Sequence, residues 1–297
     1  MLRTVLFLIT NLAVVLTISL ILSLLSGLGL LPPDLPLLPL LVSCFVWGVL
    51  GAWISLQFSA DSAKRMMGVQ LVGPGSGGAG DWLHGTVARL ASQAGLPMPE
   101  VGVYGSPEWN AFATGPSRNR ALVAVSTGIL EGMPPQELEA VLAHEMTHVG
   151  NGDMVTMTLL QGVINAFVMF LARAVALALP RGDRSDGRDY GPPPTMLLVW
   201  PLELVLGILG SLVTAGFSRF REFRADAGAA RLTSADAMAS ALARLGNMEN
   251  LQDPRDEPTL ATLKINEPAG FLRLFASHPP IEARIRALQS AARSGRL

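Results

Sequence analysis

The sequence predicts a mainly helical integral membrane protein of the α+β class, in which two hydrophobic helical hairpins accompany a polar domain with a small sheet. Half of the 297 residues are hydrophobic and only 15% are charged, whereas about a quarter of the residues of an ordinary soluble protein are charged. Four long apolar stretches account for the excess. Short segments rich in Val, Phe and Tyr, cut by Gly and Pro, predict the strands.

The first two apolar stretches predict a transmembrane hairpin over residues 1–60. The segment between Arg3 and Asp34 contains no charged residue, and it is longer than the roughly 20 residues that a spanning helix needs. A second uncharged stretch follows, and the "LPPDLP" between the two cannot continue a helix because proline lacks the N–H. The alternative, a secretory signal peptide, has an apolar core of only about 7–15 residues.

A second hydrophobic hairpin is predicted over residues 154–218, in which Arg173 and Glu203 interrupt the apolar pattern. A lone charge in hydrocarbon is costly. In an antiparallel hairpin these two residues lie at nearly the same depth, so one hypothesis is that they form an ion pair. The alternative is that each charge snorkels separately, with the hairpin packed on protein or lying at the interface. The sequence does not decide whether this hairpin crosses the bilayer completely.

The remaining residues, 61–153 and 219–297, predict one catalytic domain interrupted by the second hairpin. Its first part contains a predicted helix in "DWLHGTVARLASQAGLP" and short strands in "EVGVYGSPEWNAFATG" and "RALVAVSTGIL". A further helix, "PPQELEAVLAHEMTHVGNGD", begins at prolines and ends at glycines. The second part is predicted to be mostly helical.

Charge and cysteine content exclude several classes of protein. Nucleic-acid-binding proteins usually carry a concentrated basic face, whereas this protein has a net charge of −1. The net charge therefore excludes that class. The single cysteine, Cys44, excludes an intrachain disulfide and a cysteine-ligated zinc finger.

Arg3 precedes the first predicted span, and Lys64 and Arg65 follow the second. The positive-inside rule therefore predicts that both ends of the first hairpin face the cytoplasm.

The segment "HEMTH" predicts a metal site. Residues i and i+4 of a helix are about 40° apart around its axis, so His144 and His148 share a face and can bind one metal ion. Glu145 projects to the side, where it can act as a general base toward water. The alternative is an ordinary helix that happens to contain two histidines.

A third ligand is predicted in "REFRADAGAA". One common pattern has a histidine six residues after His148, but that residue is Met154. Glu222 and Asp226 are again spaced i and i+4, so Glu222 can complete the ligand set while Asp226 accepts the free ring N–H of a ligating histidine. Taken alone, this segment also fits a solvated, salt-bridged helix end.

Four motifs in this order, "WNAFATG", "LAHEMTHVGNGD", "REFRADAGAA" and "ASHPPIEARI", resemble those of the HtpX membrane zinc metallopeptidases. These enzymes are gluzincins related to the CAAX prenyl endopeptidases. The resemblance implies a gluzincin-like peptidase domain with one Zn²⁺ per chain, bound by His144, His148 and Glu222. It also implies that Glu145 is the catalytic base and that Asp226 supports a ligand.

The same resemblance implies further roles. His278 of "SHPP" corresponds to a histidine that stabilises the transition state, and Asn110, Ala111, Phe112 and Ala113 correspond to the strand that binds extended substrate. The implied location is the bacterial inner membrane, with several spans and a cytoplasmic catalytic domain. The implied partners are the lipid bilayer and damaged, unfolded or misfolded membrane proteins, which the enzyme would hydrolyse in stress-related quality control.

Two alternatives remain at this stage: a prenyl-protein-processing endopeptidase, and a non-catalytic membrane scaffold stabilised by structural zinc. Structural zinc sites usually have four protein ligands, and the sequence offers no evident fourth ligand.

Because the predicted ligands lie on both sides of the second hairpin in the sequence, a single metal requires that hairpin to return to the side from which it starts.

Overall fold

The structure, a computed structural model, describes residues 36–178, 194–247 and 278–297. The first predicted span, the polar turn of the second hairpin and residues 248–277 lie outside these ranges. The described chain divides into two compact units. One comprises residues 36–53, 159–178 and 194–211, and the other comprises residues 54–158, 212–247 and 278–297.

The described elements are mostly helices, with four short strands between residues 70 and 126. In chain order they are α1 Leu37–Met67, β1 Gln70–Leu71, α2 Gly78–Gln93, β2 Glu100–Tyr104, β3 Ala111–Thr114, β4 Leu122–Ser126, α3 Thr127–Gly132, α4 Pro135–Asn151, α5 Asp153–Ala178, α6 Pro194–Leu232, α7 Ala235–Asn247 and α8 Ile281–Arg293. This mainly helical architecture with a small mixed sheet confirms the predicted fold class.

Three of the described helices are long and apolar enough to cross a membrane, namely α1, α5 and α6. Helices α1 and α6 also extend beyond the predicted hairpin limits. The limits at residues 60 and 218 fall inside these helices, because no proline or glycine follows either position within the next seven residues; α1 continues to Met67, directly before Gly68 with a φ of 65°. The polar segment with Glu222 is therefore a continuation of the last apolar helix.

In the first unit, the packing of α5 depends on small residues and on one ion pair. A Cβ placed on Gly162 would lie 2.5 Å from the Ala52 Cβ, so only glycine allows this approach of α1 and α5. Arg173 Nη1 lies 2.6 Å from Glu203 Oε1, which confirms the hypothesis that the two charges form an ion pair.

The sheet of the second unit has the strand order β1-β2-β4-β3. Strands β2 and β4 are parallel, whereas β1 is antiparallel to β2 and β3 is antiparallel to β4. Among the described strands β3 lies at the edge of this sheet, so one side of its backbone is not paired with another of them.

Helix α4 occupies the centre of the second unit. It contributes Leu138, Leu142 and Met146 to a buried core that also contains residues of α2, β4 and α7. The helix begins with proline at N1 and ends at Gly152, whose φ of 68° places it in the left-handed region. The glycine separates α4 from α5 and thereby sets where the HEMTH helix stops.

Candidate metal centre

The structure brings together the three residues that the sequence predicts as metal ligands. Helix α4 presents His144 and His148, whose Nε2 atoms lie 3.1 Å apart. Helix α6 presents Glu222, whose carboxylate oxygens lie 3.4 Å from His144 Nε2 and 3.2 Å from His148 Nε2. One ligand atom from each of the three residues lies within 4.8 Å of the others. Two imidazoles and one carboxylate form a donor set that suits a divalent transition metal.

A carboxylate holds the far side of the His144 ring. His144 Nδ1 lies 3.0 Å from Asp226 Oδ1, which is the contact expected from the sequence. Asp226 also accepts two hydrogen bonds from Arg284, at 2.8 Å from Nε and 2.6 Å from Nη2. Both Asp226 and Arg284 are buried. Because Arg284 neutralises Asp226, the carboxylate can remain ionised in the core and orient the ring.

A different carboxylate holds the His148 ring. His148 Nδ1 lies 2.8 Å from Asp153 Oδ2, and Asp153 is the first residue of α5. The left-handed turn at Gly152 allows α5 to start close enough for this contact. Each of the two histidines therefore has one nitrogen near Glu222 and the other nitrogen against an aspartate.

The surrounding carboxylates favour positive charge at the centre. Burial lowers the pKa of His148, but hydrogen bonds to Asp153 and Glu222 outweigh it and raise the pKa to about 10. Burial likewise lowers the pKa of His144, whereas hydrogen bonds to Asp226 and Glu222 produce a net increase. The field that attracts a proton to these rings also attracts a metal cation at the same place.

His278 and Glu145 complete the polar lining of the centre. His278 Nδ1 lies 2.6 Å from Glu222 Oε2, so this histidine contacts the carboxylate ligand directly. Glu145 is buried next to His144 on α4 and lines the same cavity. The two residues predicted as catalytic therefore lie beside the predicted ligands.

The centre opens into a cavity of about 260 Å³. Strand β3 forms part of its wall through Ala111, Phe112, Ala113 and Thr114, so an edge strand borders the centre. An edge strand offers backbone donors and acceptors to an extended peptide. Three of the four residues predicted to bind substrate, Ala111, Phe112 and Ala113, line the cavity.

Asn110, the fourth of these residues, does not line the cavity. Its side-chain amide donates to the Tyr104 hydroxyl at 2.9 Å, and only 1% of the residue is exposed. Its backbone N–H donates to Ser126 Oγ. The side chain thus faces the core, because its position just before β3 directs it to the side of the strand occupied by Tyr104.

Three residues that surround the centre, Asp153, Arg284 and Arg221, were not predicted from the sequence. Asp153 lies in "GNGD" and Arg284 lies in "ASHPPIEARI", but neither the spacing nor the residue type identified their partners. Arg221 precedes Glu222 and lines the cavity. The position of Arg221 directly before a predicted ligand was the one sequence feature that could have indicated its place in the cavity.

Comparisons with known proteins agree with this geometry. The sequence profile described as peptidase family M48 matches residues 79–292. Protease HtpX of Aeromonas hydrophila is 48% identical over 292 residues, covering 97% of this chain and 99% of that protein. A Protease HtpX homolog of Janthinobacterium sp. is 49% identical over 296 residues, with the same two coverages. Protease HtpX of Shewanella oneidensis is 45% identical over 295 residues, again with these coverages.

A solved structure shares the fold. The crystal structure of S. mikatae Ste24p superimposes with a TM-score of 0.59, covering 96% of this chain and 67% of that chain. The sequence identity is 20%, so this similarity concerns the fold alone.

Proposed function

Because the chain belongs to peptidase family M48 and is a membrane metalloprotease, we propose that its metal is zinc and that its substrates are damaged or misfolded membrane proteins. His144, His148 and Glu222 support this proposal most directly, because one ligand atom from each lies within 4.8 Å of the others. Two histidines and one glutamate are a common ligand set of catalytic zinc, which keeps one position open.

The chemistry of the donor set supports the presence of a zinc ion. The two imidazoles and the carboxylate offer three ligand atoms, and each imidazole contacts an aspartate through its other nitrogen. Such outer contacts fix the tautomer of a ligating histidine and increase its basicity. A bound zinc ion supplies Lewis acidity, which polarises a peptide carbonyl and lowers the pKa of water.

Glu145 is the proposed general base. It accepts a proton from the attacking water as the water oxygen bonds to the carbonyl carbon, and it delivers that proton to the leaving amide nitrogen as the C–N bond breaks. His278 is the proposed donor to the oxygen on which negative charge develops. Since its Nδ1 lies against Glu222, we assign this role to Nε2. Losing one such donor typically lowers the rate by about 10²–10³.

Strand β3 is the proposed peptide-binding edge. Its residues Ala111, Phe112 and Ala113 line the cavity, and main-chain hydrogen bonds to an edge strand require little sequence specificity. That property suits an enzyme of protein quality control, because damaged proteins share exposed backbone. Asn110 contributes through its backbone position in this proposal, since its side chain donates to Tyr104.

The proposed location is the bacterial inner membrane, with residues 61–153 and 219–297 as one cytoplasmic catalytic domain between and after the hairpins. Positive charge after the second predicted span, at Lys64 and Arg65, supports this orientation. The ion pair of Arg173 and Glu203 supports the second hairpin as a membrane element, since it compensates both charges.

The general-base assignment is tested with Glu145→Gln in the purified full-length protein. We expect the variant to retain its zinc, measured by elemental analysis, and to lose cleavage of an unfolded membrane protein by about 10²–10⁴-fold. Glu139→Gln is the matched control, because Glu139 lies on the same helix and pairs with Arg89 at its surface. Cleavage by Glu145→Gln at the wild-type rate would refute the assignment.

The ligand assignment is tested with Glu222→Ala. We expect this variant to lose most of its zinc while Glu139→Ala retains it. If Glu222→Ala still binds one zinc ion per chain with unchanged affinity, the proposed ligand set is wrong.

A further inference from the structure

Among the described residues, Arg221 differs from the other arginine of the cavity because no carboxylate forms an ion pair with it, although the charges of Asp153, Glu222 and Glu145 act on it. Arg284 donates twice to Asp226. Arg221 donates from Nη2 to Ser218 Oγ at 3.1 Å, and its buried Nε atom has no hydrogen-bond acceptor among the described residues. The Arg221 guanidinium is therefore only partly satisfied by hydrogen bonds from the described residues.

Such an arrangement is unfavourable in the free enzyme. A buried charged donor without an acceptor loses its hydrogen bonds to water without replacement, and native proteins retain few groups of this kind. Arg221 lines the cavity that contains the metal ligands and Glu145. A ligand that enters this cavity can therefore supply the missing acceptor.

The neighbouring cavity wall indicates the shape of that ligand. Leu56, Met154 and Met157 line the cavity with apolar atoms, and Ser59 and Thr158 add hydroxyl groups. Because Arg284 is already paired with Asp226, the apolar atoms and the Arg221 guanidinium together suit a side chain that has a short aliphatic stem and a negatively charged end. The planar guanidinium matches a carboxylate in geometry and also compensates its charge, which a neutral carbonyl cannot do.

We propose that Arg221 is a specificity-determining residue that binds the carboxylate of an acidic substrate side chain, preferably glutamate, close to the scissile bond. This inference rests on the proposed function of the centre as a peptidase. It adds a preference for one side-chain chemistry to a peptide-binding edge that otherwise recognises backbone.

The test uses the zinc-loaded full-length protein in detergent and pairs of peptides that differ by Glu or Gln at one position near the cleaved bond. We expect the wild type to favour Glu over Gln at one position by about 10–100-fold in kcat/KM, as hydrogen bonds between charged groups allow. Arg221→Gln should abolish this preference, so that its kcat/KM values for the Glu and Gln peptides become equal within about twofold. Arg224→Gln, at an exposed arginine of the same helix, should leave the preference unchanged.

The possible results separate this inference from the proposed function. Cleavage without any Glu preference in the wild type, or an equal loss for both peptides in Arg221→Gln, would overturn the role of Arg221 alone. If the wild type cleaves no peptide, both proposals fail. Should Arg221→Gln lose its zinc, Arg221→Lys serves instead, because it retains the charge without the planar fork. Its Glu preference should be reduced, and an unchanged preference would contradict the inference.

Discussion

At the scale of single residues, the metal centre depends on charges that lie one contact away from the ligands. Asp226 and Asp153 each contact the Nδ1 atom of one histidine, which leaves the Nε2 atoms near Glu222. Arg284 compensates Asp226 in the buried interior. These contacts orient both rings, so the two aspartates should influence metal affinity without binding the metal themselves.

Asp153→Ala tests this influence. Because the substitution removes the acceptor of His148 Nδ1, we expect zinc affinity to decrease by about 10–100-fold, measured by competition with a chelator. Asp236→Ala is the control, since Asp236 is an exposed acid in the first turn of α7. Equal affinity of both variants and the wild type would show that the His148 ring does not need Asp153.

At the scale of secondary-structure elements, Glu137 joins α4 to α7. Its carboxylate accepts hydrogen bonds from Ser240 and from two guanidinium nitrogens of Arg244. The hydrogen bond from Arg244 lowers the pKa of Glu137, against the opposing effect of burial. Helix α4 carries the two histidines, so this contact helps to hold the metal-binding helix against its neighbour.

Glu137→Gln should therefore reduce stability at neutral pH. Hydrogen bonds to charged groups contribute about 1.5–3 kcal/mol, and partial exposure of Arg244 favours the lower end of that range. The pKa of Glu137 is lower in the folded state, so its contribution is complete above the unfolded pKa of about 4.3 and disappears as the pH falls through the folded value. Denaturant unfolding followed by circular dichroism should show the difference at pH 7 and a smaller one at pH 4.

Glu139→Gln is again the control for this prediction. Glu139 lies on the same helix but pairs with Arg89 at the surface, where such pairs contribute about 0–1 kcal/mol. A difference between Glu137→Gln and the wild type that grows toward acid pH would contradict the proposed ion pair.

At the scale of the whole molecule, the metal centre constrains the path of the chain. His144 and His148 precede helices α5 and α6, whereas Glu222 lies near the end of α6. A single ion cannot be bound from opposite sides of a bilayer. The 26 residues of α5 extend about 39 Å at 1.5 Å per residue, which is enough to cross a hydrocarbon core of about 30 Å. We therefore expect the chain to cross in α5 and return in α6.

Cysteine labelling tests this path in a Cys44→Ala background, since Cys44 is the single cysteine of the sequence. A membrane-impermeant maleimide should label Ser185→Cys from the side of the membrane opposite to the metal centre. It should label Ser294→Cys in the C-terminal segment only after the membrane is opened. Labelling of both positions from the same side would mean that the second hairpin does not cross.

Features that depend on neighbouring residues could be predicted from the amino-acid sequence. Its uncharged stretches identified a membrane protein, because the free energy of a helix in lipid is nearly a sum over its own residues. The spacing of His144 and His148 predicted a shared face, because helix geometry converts a separation of four residues into proximity. The short strands around β3 followed from local composition in the same way.

Contacts between residues far apart in the sequence became known from the three-dimensional fold. It brought Arg284 to Asp226, Asp153 to His148 and His278 to Glu222, and it directed the Asn110 side chain toward Tyr104. It also extended α6 without a break through residue 218. The physical reason is that burial and ion pairing depend on how several elements pack together. Local periodicity predicts the face on which a side chain lies, but the partner on that face is set by contacts far apart in the chain.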